Sequence, residues 1–259
     1  MSIGFATIGL TIVPVRREPD HRTEMVNQLL FGDMAVVREK MGDWCLVESV
    51  SDRYEGWVDQ TQLTFLEEDE YRKYLNLSVV RVGHLVDYLS GADERMMLVT
   101  YGAALRGIEE NRFEFNGVNY HLDEPCTGPV SLTPEALVNE AMLWLGVPYL
   151  WGGRSPFGVD CSGFVQLLFS RYGVDLPRDA WQQATVGEQV AFQSEARKGD
   201  LFFFDNQDGD IVHVGVYCGN DRIIHSSGKV RLDPVDHQGI YRQETGTYSH
   251  RLRLIRRIL

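Results

Sequence analysis

"GVDCSGFVQLLF", residues 158–169, decides how the second half of the chain is read, because an acid, a cysteine and a serine stand where a helical apolar pattern begins. Phe164, Leu167, Leu168 and Tyr172 recur at helical spacing, Gly173 is a stop signal, and Pro177 lies just beyond. The spacing predicts a helix starting near Cys161, with the thiol in its first turn at the edge of the apolar stripe. Unpaired backbone N–H groups and the positive end of the helix dipole gather there. Both favour a thiolate, the nucleophilic form of cysteine. The segment alone equally permits a cysteine used as a small hydrophobe.

Working outward, "SLTPEALVNEAMLWLG" (131–146) predicts a preceding helix. Thr133 can cap it, Pro134 suits its first turn, and Leu137, Ala141, Trp144 and Leu145 form a stripe before Gly146. A loop rich in glycine, proline and aromatics, "VPYLWGGRSPFGVD", leads on to Cys161. Downstream, "DLFFFD", "IVHVGVYCG", "RIIHSS" and "RLRLIRRIL" have strand patterns. Helices followed by an antiparallel run of strands give an α+β class.

A cysteine nucleophile needs a base within hydrogen-bond reach and a third group to orient that base. Of the histidines at 21, 84, 121, 213, 225, 237 and 250, two stand out. Alternation in "IVHVGVYCG" puts Val212, Val214 and Val216 on one face and His213, Gly215 and Tyr217 on the other. The turn "CGND" predicts a hairpin to the strand of His225. A three-residue loop at 218–220 would pair residue 217 with 221 and set His213 directly opposite His225, with Cβ atoms about 4.5–5.5 Å apart. A two-residue loop would put the rings on opposite faces. A Cys–His–His set could instead hold a metal. Cys218, at an odd offset from His213, faces away and cannot complete a cage from the same strand, so metal is the weaker alternative and no metal ligand is assigned.

The first part of the chain reads differently. In residues 1–66, "MAVVRE", "WCLVESV" and "YEGWVD" are strand-like, and Gly32, Gly42 and Gly56 punctuate them, the pattern of a small β-barrel. Residues 67–76, "EEDEYRKYLN", read as a charged helical connector. In 77–125, "MMLVTYGAALRG" and "FEFNGVNYHL" suggest a second, degenerate barrel, with a hairpin at Asn116-Gly117.

The whole chain sets limits. Its 259 residues are 44% hydrophobic and 24% charged, with a formal net charge of −12. That balance argues against nucleic acid, anionic membranes and polyanionic walls as electrostatic partners. No apolar run has bilayer length. "MSIGFATIGLTIVPVRREPD" lacks the pattern of a secretory signal, so a cytoplasmic location is expected. Cysteines 45, 126, 161 and 218 fit a reducing compartment rather than a disulfide scaffold.

The motifs then carry a resemblance. "VPVRREPD…GDMAVVREKMGDWCLVES…YEGWVD" resembles a bacterial SH3-like domain, most specifically at Gly56-Trp57-Val58. "PYLWGG", "DCSGFVQLLF", "LPRDAWQQ", "KGDLFFF", "HVGVY" and "IIHSSG", in that order over residues 131–259, resemble the NlpC-type, papain-like cysteine peptidases that cut bacterial cell-wall peptides. The two together are similar to the γ-D-glutamyl-L-diamino acid endopeptidases of that family. The resemblance implies two SH3-like barrels (1–66 and 77–125) ahead of a peptidase domain (131–259).

It further implies Cys161 as nucleophile, His213 as base, His225 as orienting member, and Tyr149 as a helper at the oxyanion. Asp160 and Ser162 match positions that bind the substrate's free amine and D-glutamyl carboxylate. Glu24 and Tyr54 match barrel positions that supply an acid and a tyrosine to the amine pocket. The implied substrate is a murein peptide, L-Ala-γ-D-Glu-diamino acid, cut without a cofactor during wall-peptide recycling. One departure stands out: Ala180 follows "PRD" where many relatives have a serine. Rival expectations are a secreted wall hydrolase, an amidase or acyltransferase on the same scaffold, and a wall-binding module with an inactive catalytic domain. The presence of all three catalytic side chains speaks against the last.

Overall fold

A computed structural model describes residues 2–91, 96–124 and 131–259. Cys126 and the end of the second predicted barrel at residue 125 lie outside the described residues. The chain divides into two compact units, one of residues 1–130 with 151–156, the other of 131–150 with 157–259. Residues 151–156, inside the stretch read as peptidase, thus fold with the first unit.

Seven antiparallel strands between Gly4 and Leu66 open the first unit. Their inward residues, among them Ala6, Val13, Val15, Leu29, Val37, Val47 and Val58, form one core. Gly32 and Gly42 turn the chain with positive φ, as expected. Gly56 does not: it lies within the strand Glu55–Asp59, and a Cβ there would meet Val15 Cγ1 at 2.4 Å. Its role is close approach of neighbouring strands. The connector is a helix, Glu68–Asn76, started by a reciprocal capping box between Glu67 and Glu70. Beyond it, a four-stranded and a two-stranded sheet enclose a second core. Phe31 of the first strand set sits in that second core, which ties the two parts into one unit. Asn116 and Gly117 form the predicted turn, both with positive φ.

In the second unit, Pro134–Met142 is helical and Thr133 Oγ1 accepts from the Ala136 N–H at 3.1 Å. Leu137, Ala141 and Trp144 are fully buried, whereas Leu145 is 48% exposed because the helix ends before it. The helix Cys161–Ser170 is buried on every side, so it has no solvent face and is not the amphipathic element its pattern predicts. Its polar members find partners: Gln166 donates to Leu176 O and Ser170 to Leu167 O. A seven-stranded sheet follows. Two of its strands, Ile211–Gly219 and Arg222–Ser227, carry His213 and His225. The next, Lys229–Pro234, had no counterpart in the sequence reading.

Candidate active site

The helix Cys161–Ser170 begins at the site. Asp160 caps it, Oδ1 accepting from the Gly163 N–H at 2.7 Å. Both carboxylate oxygens also accept from the buried Arg178 guanidinium, at 3.0 and 2.6 Å. Arg178 Nη1 reaches Ser162 Oγ at 3.0 Å as well. Gln183 donates to Ser162 O and Pro177 O, closing the network around the first turn. Asp160 is therefore both the helix cap and the counter-charge of Arg178.

Cys161 is only 7% exposed. Burial, with the Asp160 carboxylate beside it, pushes its thiol up to about 12, while hydrogen bonding from the backbone of Val214 and Ser162 pulls the other way. This corrects the expectation of a resting thiolate: a helix N-terminus lowers a thiol pKa, but desolvation opposes it and here prevails. The Val214 backbone contact sets the sulfur against the residue that follows His213. Tyr149 stands nearby, its phenol held protonated chiefly by burial, with the Asp160 carboxylate acting in the same direction. Its backbone N–H donates to Gly228 O at 3.0 Å, and Ser226 Oγ donates to Val159 O at 2.8 Å, fastening the His225 strand to the approach to Cys161.

His213 Nε2 lies 2.8 Å from His225 Nδ1, with the rings nearly perpendicular. The register that brings them together differs from the expected one. Gly215, not His213, stands opposite His225, and Tyr217 opposite Ile223; beyond a bulge Gly219 faces Arg222. The turn is the two-residue kind, Asn220-Asp221, both with positive φ. Such a turn alone would place the histidines on opposite faces; the extra residue, Cys218, restores the parity. The histidines are thus diagonal neighbours on one face. Cys218 itself is buried, with its thiol pushed up to about 12 by desolvation.

Four residues extend the site beyond the sequence reading. Asp233 Oδ2 lies 3.0 Å from His225 Nε2, and Arg231 Nε holds the same carboxylate at 2.6 Å. Burial works against the Asp233 charge, but hydrogen bonds from His225 and Arg231 outweigh it and hold its pKa to about 2. The fourth residue beside Arg178, Asp233 and Arg231 is His250, whose ring stacks on His213 with centroids 4.1 Å apart. Burial lowers His213 well below the usual histidine range and His225 below it, so both are neutral near pH 7. The overlooked signals were the turn glycine Gly228 and the Val230/Leu232 alternation, which together mark a strand carrying Asp233.

Glu24 and Tyr54 belong to the first unit. Glu24 accepts from Arg17 and, at 2.6 Å, from Trp151 Nε1, and the Arg17 hydrogen bond keeps its carboxyl below the usual range. Tyr54 is partly buried against the first core. Ala180 is buried at the start of a short helix, Ala180–Gln183. Among the described residues no group of three or more His, Cys, Asp or Glu is arranged to hold a metal ion.

A cysteine at a capped helix N-terminus, set against the strand of a histidine that leads into a second histidine, is the arrangement expected of a papain-like cysteine peptidase. The chain belongs to the NlpC/P60 family, whose pattern matches residues 146–249. Residues 15–63 match the bacterial dipeptidyl-peptidase SH3 domain. A γ-D-glutamyl-L-lysine dipeptidyl-peptidase of Bacillus subtilis is 31% identical, over 77% of this chain and 71% of its own length. One of Bacillus cereus is 27% identical, over 86% and 74% respectively. The crystal structure of a Bacillus cereus NlpC/P60 family protein superposes with a TM-score of 0.85, covering 98% of this chain and 99% of that one at 23% identity.

Proposed function

We propose that this cysteine peptidase hydrolyses the γ-D-glutamyl-diamino acid bond of murein peptides with a free N-terminal L-Ala, in the recycling of released wall peptides. The observation that carries the chemistry is the chain His213–His225–Asp233. An ionised Asp233 accepts the Nε2 proton of His225, which leaves His225 Nδ1 to accept from His213 Nε2. His213 is thereby left with an unprotonated Nδ1, the state a general base needs. The substrate class rests on similarity to the γ-D-glutamyl-L-lysine dipeptidyl-peptidases, which extends over both the SH3 and the peptidase parts.

In the reaction, the Cys161 thiol proton passes to His213 Nδ1 as the sulfur attacks the γ-carbonyl carbon of D-glutamate. The oxyanion takes hydrogen bonds from first-turn N–H groups of the Cys161 helix and from the Tyr149 phenol; a single such donor is worth about 2.7–4 kcal/mol in other enzymes. The C–N bond breaks, and His213 returns the proton to the departing amine. Water then attacks the thioester, His213 takes its proton, and the acid product leaves as the thiol is restored. The Asp233 charge stabilises the transient imidazolium through His225.

The test of substrate class is kcat/KM on L-Ala-γ-D-Glu-L-Lys with the alanine amine free or acetylated. Loss of one charge-assisted hydrogen bond, about 1.5–3 kcal/mol, predicts at least a tenfold fall on acetylation. An unchanged rate would remove the amine pocket, and the recycling role with it.

A further inference from the structure

His250 touches the catalytic histidine from outside the relay. Its ring lies on that of His213, with centroids 4.1 Å and planes 24° apart. His225 instead meets His213 nearly perpendicular, at 85°, through the Nε2···Nδ1 hydrogen bond. That bond is a pivot. It anchors one nitrogen, but the outer torsion of a histidine is broad, and a swing about the bond would carry Nδ1 away from the thiol it serves. A flat neighbour stacked on the ring blocks that swing.

Backbone irregularity brings His250 to this position. Phe204 stands opposite His213 in one neighbouring strand and opposite Leu252 in the other. His250, two residues from Leu252, therefore shares their side of the sheet. A bulge sets the parity: Phe203 faces Leu254, so regular pairing would put Arg253 opposite Phe204 and turn His250 to the other side. The adjoining strand, Gly239–Arg242, pairs Ile240 with His250. A Cβ on Gly239 would meet the His250 carbonyl oxygen at 1.8 Å, so glycine is what lets that strand close on it. Ser249 Oγ lies 2.8 Å from His250 Nδ1 and ties down the ring edge.

We infer that His250 is a positioning residue, whose ring face holds the His213 imidazole in the plane from which Nδ1 takes and returns the Cys161 proton, a role that rests on the mechanism proposed above. Burial keeps His250 neutral near pH 7, so it sets no like charge beside the transient imidazolium.

The test compares wild type with His250→Phe, which keeps a flat ring, and with His250→Leu and His250→Gln, which fill the space without one. Two rates are read: turnover of L-Ala-γ-D-Glu-L-Lys, and alkylation of Cys161 by iodoacetamide at neutral pH, followed by mass spectrometry. Alkylation needs the same proton transfer to His213 but no particular substrate. The Leu and Gln variants should lower kcat about tenfold or more with KM little changed, and slow alkylation in parallel, since misplaced reacting groups cost up to about 10²-fold. His250→Phe should keep both rates within about threefold of wild type, because a phenyl ring offers the same flat face. A Phe variant as slow as the other two, or Leu and Gln variants as fast as wild type, overturns the inference. Rates that follow Tm across the variants, rather than the presence of a ring, overturn it as well. If His250→Leu does not fold, the Phe and Gln variants carry the comparison. A wild type inert on the peptide, with alkylation still following the ring, would overturn the substrate reading alone.

Discussion

Gly215 stands directly opposite His225, and a Cβ on Gly215 would lie 2.9 Å from the His225 Cβ and 2.8 Å from Ile223 Cδ1. The missing side chain lets the His225 ring lean across the strand to meet His213. Gly215→Ala is expected to cost about 1–3 kcal/mol of stability by overpacking and to lower kcat at least tenfold. Thermal unfolding and steady-state kinetics on the same preparation check it. A fully active, equally stable variant would show that the close approach does no positioning.

His225→Asn should lose less activity than His213→Ala, since an orienting group can be replaced by another hydrogen-bonding side chain and the base cannot. Comparison of kcat decides the matter. Equal losses would mean that both rings carry protons.

Asp233→Asn is expected to be nearly isosteric yet to lower kcat about 10²-fold or more, the range of general-base contributions. An amide N–H facing His225 Nε2 would reverse the proton order along the relay and leave His213 protonated at Nδ1. The NMR resonances of the two ring N–H groups should change sites in the variant. Unaltered resonances with unaltered kcat would remove Asp233 from the relay.

Much of this arrangement was legible in the sequence, and the remainder failed for identifiable reasons. The Cys161 helix was visible because Gly173 and the apolar spacing are local. Its burial on all sides was not, because Gln166 and Ser170 look solvent-facing until their partners, Leu176 O and Leu167 O, are known. The shared face of His213 and His225 was legible, but not the register. A bulge at Cys218 leaves no compositional mark, and it compensates a turn that alone would have separated the rings. Arg178 and Asp233 act through partners distant in sequence or on an unrecognised strand, so local patterns could not pair them with Asp160 and His225.

Acid should destabilise the fold from just below neutrality. His213, His225 and His250 have folded pKa values below their unfolded value of about 6.5, His250 at about 4, chiefly through burial. Between those values the unfolded chain binds more protons, so this stability is complete above about pH 6.5 and is lost as pH falls through the folded values. Asp233, held to about 2, adds a second loss as pH drops below about 4. Tm is thus predicted to decline from pH 6.5 downward, and His250→Gln should flatten the first part of that decline. A flat Tm from pH 7 to 4 would contradict the assignment of buried neutral rings.

Incubation of L-Ala-γ-D-Glu-L-Lys with wild-type protein and with Cys161→Ala, read by mass spectrometry, tests the central claim most directly. The wild type should release L-Ala-γ-D-Glu and free lysine. The variant, which loses only a small buried side chain, should keep its fold and release neither. Cleavage at another bond, intact peptide with the wild type, or more than about one-hundredth of wild-type turnover in a folded Cys161→Ala would contradict it.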